Sequence, residues 1–132
     1  MPERVRLRKT RYGPLVGNRW LQVLCRLGEG SLAFRDRASG RAVVPRAYAA
    51  LECTDGTTVG TLGGFREAYD VHAVADAHGK GITVCLATKR SRARPELRLS
   101  VTLYESQPFA IMQMETLYEY SLHSTHRTGR CL

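Results

Sequence analysis

The stretch that decides the fold is residues 97–104, which read LRLSVTLY. Leucine or valine occupies every second position and alternates with Arg98, Ser100, Thr102 and Tyr104. Successive side chains of a β-strand point to opposite faces of its sheet, so the alternation predicts a strand with one buried and one solvated face. A second layer must cover the apolar face. The run therefore predicts a sheet that packs against another layer.

The same period of two recurs on both sides of this run. It predicts further strands at residues 20–27, 31–36, 41–44, 48–53, 69–75, 82–87 and 109–116. Turns rich in Gly and Asp separate them, for example at residues 28–30 and 36–40. We expect Pro45 to interrupt the hydrogen-bond ladder, because proline has no amide hydrogen. We also expect a weak or irregular strand around Val59. Short strands in sequential order predict an all-β, antiparallel sandwich with little or no helix.

Length and composition limit the chain to one domain. Its 132 residues are 43% hydrophobic and 24% charged, which is typical of a folded domain. We divide it into a basic leader at residues 1–14, a sandwich at 15–116 and a polar, loose tail at 117–132. No run approaches the roughly 20 apolar residues of a membrane helix, and none follows the basic start, so neither a membrane span nor a secretory signal is expected.

Cysteine and histidine spacing offers no standard metal or redox motif. The four cysteines are Cys25, Cys53, Cys85 and Cys131. No C-x-x-C is present, and the first three cysteines lie in strand-like apolar runs, so we expect buried free thiols and a reducing, cytoplasmic compartment. The spacing of His123, His126 and Cys131 matches no zinc template.

One group of residues has the side chains that proton transfer requires, namely Asp70, His72, Asp76 and His78. Asp70 and His72 share the wet face of a predicted strand, whereas Asp76 and His78 fall in a turn, where Asp commonly bonds its own backbone. We therefore expect no catalytic residue, no cofactor or cofactor-binding residue and no metal ligand. Trp20 and His78 are the residues that we expect to contact a carbohydrate or a partner.

The net charge of +8 is concentrated in two basic clusters, at residues 4–11 and 89–94. Each cluster could neutralise nucleic-acid phosphates. Nucleic-acid-binding β folds also present aromatic rings for base stacking, and neither cluster has one closer than Tyr12. We therefore interpret the clusters as solvated surface and keep nucleic-acid binding as an alternative.

Four segments resemble the N-terminal β-supersandwich domain of bacterial α-galactosidases and their raffinose-synthase-like relatives. These segments are residues 17–20, 36–40, 74–81 and 97–112. The last is the most telling, because a strand, an acidic turn and a Pro-Phe entry into the next strand follow one another there as in that family. The resemblance covers about residues 15–115. It implies packing against a (β/α)₈ barrel, whose two aspartates act as nucleophile and acid/base in retaining hydrolysis.

A barrel of about 250 residues exceeds this chain, so no catalytic residue is transferred to it. After Glu115 the family continues with strands, whereas this sequence runs into LYEY and the polar tail. We interpret that departure as a truncated product or as a protein that keeps part of the sandwich. The sequence predicts a non-catalytic domain that packs against a missing barrel or self-associates. The alternatives are a small basic nucleic-acid-binding β domain and a stand-alone carbohydrate-binding module.

Overall fold

A computed structural model describes residues 4–52, 56–89 and 95–117. These ranges contain eleven β-strands, all antiparallel to their neighbours, and no helix. The predicted antiparallel β-sandwich is thereby confirmed. Nothing helical in the described ranges has the length and apolar composition that crossing a bilayer requires.

The first sheet has five strands in sequential order. They are β1 (Arg6–Lys9), β2 (Pro14–Gly17), β3 (Leu21–Arg26), β4 (Ser31–Asp36) and β5 (Ala42–Ala47). β3 and β4 follow the predicted ranges closely, whereas β1 and β2 were not predicted. Four-residue strands are too short to show an alternation, and β1 is recognisable only through its pairing with β2, from Arg6 opposite Gly17 to Lys9 opposite Pro14.

The expected interruption of the ladder at Pro45 is confirmed, although the strand itself continues. β5 continues through this residue to Ala47 and is an edge strand of the first sheet. Its register against β4 shifts between Val44 and Ala47, so Pro45 lies in a bulge and has no residue paired with it there. Edges and bulges are the positions where a sheet tolerates proline, because no ladder hydrogen bond is lost.

The second sheet has four strands in the order β11, β10, β9, β8. They are β8 (Phe65–Asp76), β9 (Gly79–Thr88), β10 (Glu96–Tyr104) and β11 (Ala110–Leu117). A separate two-stranded ribbon pairs β6 (Ala50–Glu52) with β7 (Thr58–Gly60), which includes the weak strand expected around Val59. The deciding run of the sequence therefore forms β10, a central strand.

The core lies between the two sheets and is built from the predicted alternation. The apolar face of β10 is 0–2% exposed, at Leu97, Leu99, Val101 and Leu103. Leu99, Val101 and Leu103 form one cluster with Val84 and Leu86 of β9 and with buried side chains of β2, β3 and β4. Leu51 and Val59 of the ribbon pack on Leu97 and close one end.

The expectation of buried free thiols is confirmed at two cysteines. Cys25 lies in the core at 0% exposure, and Cys85 is 8% exposed. Burial raises the pKa of the Cys25 thiol to about 12. Cys53 lies outside the described residues.

Gly30 allows the β3–β4 turn to press against the segment that leads into β8. Its φ is +78°, and a Cβ atom there would collide with the carbonyl oxygen of Thr61. The Phe65 amide also donates a hydrogen bond to the Leu27 carbonyl, at 2.6 Å. A larger residue at position 30 would be both strained and in collision with the backbone.

We expect Leu99→Asp to abolish folding. Leu99 lies in the core opposite Leu86 and Met114. An unpaired charge buried there costs several kcal/mol, comparable to the ~5 to 15 kcal/mol that stabilises a whole domain. Thermal melting followed by circular dichroism tests this, with Gln113→Asp as control on the exposed face of β11. The control should melt close to the wild type, and a wild-type-like melt for Leu99→Asp would contradict the assignment of the core.

Candidate functional site

The outer face of the second sheet forms a groove of about 720 Å³. The alternation that buries the leucines of β10 turns Arg98, Ser100, Thr102 and Tyr104 toward this groove. We call it the outer groove. It is lined by Tyr69, His72, Val74, Asp76, His78, Thr83, Cys85, Arg98, Ser100, Thr102, Tyr104, Ile111, Gln113, Met114 and Glu115. All four strands contribute to it, and most of the lining side chains are polar.

One end of the outer groove is aromatic. His78 and Tyr104 of the lining form a triangle with Phe109, which lies beside the groove, and the ring centroids are 5.3 to 6.1 Å apart. Asp76 organises two of them, because its carboxylate accepts hydrogen bonds from the Tyr104 hydroxyl at 2.7 Å and from the His78 amide at 2.8 Å. These bonds, the Tyr104 bond first, hold the pKa of the Asp76 carboxyl below its ordinary value. We call these four residues the aromatic end.

The middle of the outer groove has a floor of hydroxyl groups. The Thr83 and Thr102 hydroxyl oxygens lie 2.7 Å apart, so one donates a hydrogen bond to the other. Both residues are almost completely buried, at 7% and 9% exposure. Each hydroxyl group keeps a lone pair beyond this bond. The floor therefore offers hydrogen-bonding capacity to a polar ligand.

The other end contains a thiol beside an acid and an imidazole. The carboxylate of Asp70 lies 2.7 Å from Nδ1 of His72, and both side chains are about half exposed. The ligand atoms of Asp70, His72 and Cys85 all lie within 4.8 Å of one another. Tyr69 lies beside Cys85, and burial raises the pKa of the Cys85 thiol above its ordinary value. We call these four residues the thiol end.

Arg98 holds the Tyr69 ring in position at this end. Its guanidinium lies 4.7 Å from the ring centroid, and its Nε donates to the Glu96 carboxylate at 2.9 Å. Arg66 donates to the other oxygen of Glu96, at 3.2 Å. Glu96 is 3% exposed and is thus a buried carboxylate bonded by two arginines. This network anchors the side chains behind the thiol end.

The two residues expected to contact a carbohydrate or a partner lie in turns at the same end of the sandwich. His78 lines the outer groove, whereas Trp20 is not among its lining side chains. Asn18 connects their surroundings: it accepts bonds from the amides of Trp20 and Leu21 and donates to the carbonyls of Tyr104 and Gln107. Asn18 is 0% exposed. A fully buried asparagine thus ties the β2–β3 turn to the β10–β11 turn.

Three members of the Asp and His group, Asp70, His72 and Asp76, lie on the same strand, β8, but at different places along it. Asp70 and His72 lie at the thiol end, and Asp76 lies at the aromatic end with His78. Six residues along a strand span about 20 Å. The carboxyl pair of a glycoside hydrolase is about 5 to 9.5 Å apart. Asp70 and Asp76 therefore have the wrong spacing for that chemistry.

The sequence did not predict which residues of other strands lie against Asp70, His72 and Asp76. Cys85 pairs directly with Asp70, and Thr83 pairs with His72. Tyr104 reaches Asp76 over 28 positions of sequence. No local pattern signals these contacts, because they depend on the register between strands. The candidate ligands His123, His126 and Cys131 lie outside the described residues.

Charge separates the two outer faces of the sandwich. Among the described residues, the lining of the outer groove contains two carboxylates, Asp76 and Glu115, and one guanidinium, Arg98, and the carboxylate of Asp70 lies beside it. The basic leader lies on the first sheet instead. A smaller hollow there, of about 280 Å³, is lined by arginines and by Tyr12. In the second basic cluster, only Lys89 belongs to the described residues.

We expect Tyr104→Phe to raise the pKa of Asp76. The variant removes the hydroxyl group that stabilises the ionised carboxylate and keeps the ring in the aromatic end. A folded-state pKa below the unfolded value contributes stability above the unfolded pKa, and this contribution is lost as the pH falls through the folded pKa. The variant should therefore lose less stability than the wild type on acidification. Carboxyl ¹³C shifts measured against pH test the prediction, and an unchanged Asp76 titration would contradict it.

Comparison with known proteins adds no function to this geometry. The chain matches no family model, no curated protein and no solved structure. The side chains of the outer groove are therefore the only basis for assigning it a function.

Proposed function

We propose that this chain is a non-catalytic, carbohydrate-binding β-sandwich domain whose binding surface is the outer groove. The observation that carries the proposal is a groove lined by hydrogen-bonding side chains, with the exposed rings of His78 and Phe109 at its edge. A sugar ring presents hydroxyl groups at its edge and C–H groups on its faces. It therefore needs both kinds of contact from a protein surface.

The aromatic end supplies the apolar contact. Phe109 is 36% exposed, and His78 is exposed beside it. Tyr104 is 3% exposed and supports both rings from below. Its bond to Asp76 keeps this support in place. Rings fixed by their neighbours lose little conformational freedom when a ligand packs on them.

The remainder of the groove supplies both hydrogen-bond donors and hydrogen-bond acceptors. Hydroxyl groups on Thr83, Ser100 and Thr102 donate and accept, and the Gln113 amide does the same. A sugar hydroxyl also donates and accepts, so it can match this mixture. The volume of about 720 Å³ lies within the ~300 to 1,000 Å³ typical of small-molecule sites. One or two sugar rings would fit it.

The charge of the groove distinguishes sugars from nucleic acids. Among the described residues that line it, carboxylates outnumber guanidinium groups, which disfavours the phosphates of a nucleic acid. A neutral carbohydrate meets no such penalty. The proposal also accommodates the resemblance to α-galactosidase domains, in which hydrolysis would be the work of a separate barrel.

We expect saturable binding of simple sugars to the outer groove. Methyl glycosides of galactose, glucose and mannose, titrated into ¹⁵N-labelled protein, should shift the amide signals of β9, β10 and the turn at His78. Phe109→Ala and His78→Ala should each weaken binding about fivefold or more, since loss of an aromatic contact costs about 1 kcal/mol.

Trp20→Ala is the matched control, because this aromatic residue lies at the same end of the sandwich but belongs neither to the groove lining nor to the triangle of His78, Tyr104 and Phe109. Its affinity should equal that of the wild type. Shifts confined to the first sheet, or equal losses for Trp20→Ala and Phe109→Ala, would contradict the proposal. Salt-resistant, sequence-selective DNA binding would favour the nucleic-acid alternative.

A second candidate function, packing against a catalytic partner domain, is favoured by the edge strand β5. Val43 is 60% exposed, Val44 is 40% exposed, and Tyr48 just beyond the strand is 52% exposed. An edge strand with exposed apolar side chains offers both backbone hydrogen bonds and apolar surface. We propose that a barrel of the α-galactosidase type covers this edge, as the resemblance implies.

Without its partner, the chain should self-associate through β5. Light scattering at moderate salt should show a mass that grows with protein concentration. Val43→Lys should return the chain to a monomer, because a charge on an edge strand opposes strand addition. Leu7→Lys is the matched control on β1, the opposite edge, where Leu7 is 40% exposed. A wild-type monomer at all concentrations would contradict this role.

A further inference from the structure

We propose that Asp70, His72 and Cys85 form a binding site for a zinc-type divalent transition metal at the thiol end of the outer groove. The proposal does not depend on carbohydrate binding, because Asp70 and His72 lie in the middle of β8, whereas Asp76 of the aromatic end is its last residue.

Strand register alone brings the three residues together. Asp70 and His72 are two positions apart on β8 and so share a face. Cys85 lies directly opposite Asp70 on β9. The three ligand atoms lie within 4.8 Å of one another. Ligand atoms around a tetrahedral zinc ion are about 3.3 to 3.7 Å apart, given bonds of about 2.0 to 2.3 Å.

Modest side-chain movement completes the geometry. The Asp70 carboxylate and His72 Nδ1 are 2.7 Å apart in their hydrogen bond, which is closer than two zinc ligands stand. Both side chains are about half exposed, at 50% and 47%, and can separate by rotation. Cys85 is 8% exposed and provides the fixed point of the site.

The donor set selects the class of metal. One sulfur, one nitrogen and one oxygen suit zinc and its neighbours, whereas magnesium and calcium require oxygen ligands. On binding, a sulfur–metal bond forms at Cys85, and the thiol proton passes to solvent. Three protein ligands leave a fourth position for water or another small ligand, open to the groove.

The surroundings of Cys85 differ from those of an ordinary buried thiol. Cys25 lies among apolar side chains in the core. Cys85 instead lines the polar outer groove, together with Tyr69. Arg98 packs on the Tyr69 ring at 4.7 Å and is itself bonded to Glu96. Such a second layer fixes the orientation of a metal ligand.

Cobalt(II) titration of the reduced full-length chain tests the site. Four-coordinate cobalt bound to a thiolate gives a charge-transfer band in the near ultraviolet and strong visible bands. We expect these bands to saturate at one cobalt per chain and to disappear when zinc is added. Cys85→Ser should abolish the charge-transfer band, and His72→Gln should weaken zinc binding about 10- to 100-fold or more.

Two controls match these variants by residue type. Cys25→Ala removes the core thiol, and His78→Gln removes the imidazole of the aromatic end; both should bind cobalt as the wild type does. Circular dichroism verifies the fold of each variant. Absence of the charge-transfer band in the wild type, or its persistence in Cys85→Ser, would overturn the proposal. If Cys85→Ser does not fold, wild-type affinity in both His72→Gln and Asp70→Asn would overturn it.

Discussion

The burial of one face of β9 and β10 against the first sheet is the constraint on which the rest of this structure depends. Leu99, Val101 and Leu103 are excluded from water, and each removes apolar surface worth about 2 kcal/mol from solvent. Because strand side chains alternate, burying this face turns the intervening Ser, Thr, Arg and Tyr outward. The polar outer groove is thus a geometric consequence of the core. Substitutions in β10 that change the register would alter the core and the groove together.

Local hydrogen bonds then give the two ends of the groove different properties. Near the aromatic end, buried Asn18 fixes the β10–β11 turn through the carbonyls of Tyr104 and Gln107. At the thiol end, Glu96 fixes Arg98, which fixes the ring of Tyr69. Buried polar groups of this kind are costly unless they are fully bonded. Here they are bonded, and they hold the side chains that face a ligand.

The candidate site was predictable in composition but not in arrangement. Asp70, His72, Asp76 and His78 are recognisable from their residue types, and period two already indicates that Asp70 and His72 share a wet face. Their separation into two ends follows from the length of β8, which runs six residues beyond Asp70. Period two places Cys85 with Thr83 on the face opposite Val84 and Leu86. Its position opposite Asp70 was not predictable, because it depends on the register of β9 against β8.

The sequence by itself determined the strands whose alternation is regular, β3, β4 and β10 above all, and therefore the all-β class and the identity of the core. Alternation is a property of the local sequence. It determines which face is buried in the folded chain, because moving apolar surface out of water is favourable. Only the tertiary structure decided the pairing of β1 with β2, the passage of β5 through Pro45 and the meeting of Asp70, His72 and Cys85. The register of β8 against β9 shifts between Phe65 and Glu67 and again between Ala68 and Asp70. Each shift changes which side chains share a face, and it is set by packing between strands rather than by the residues of one strand.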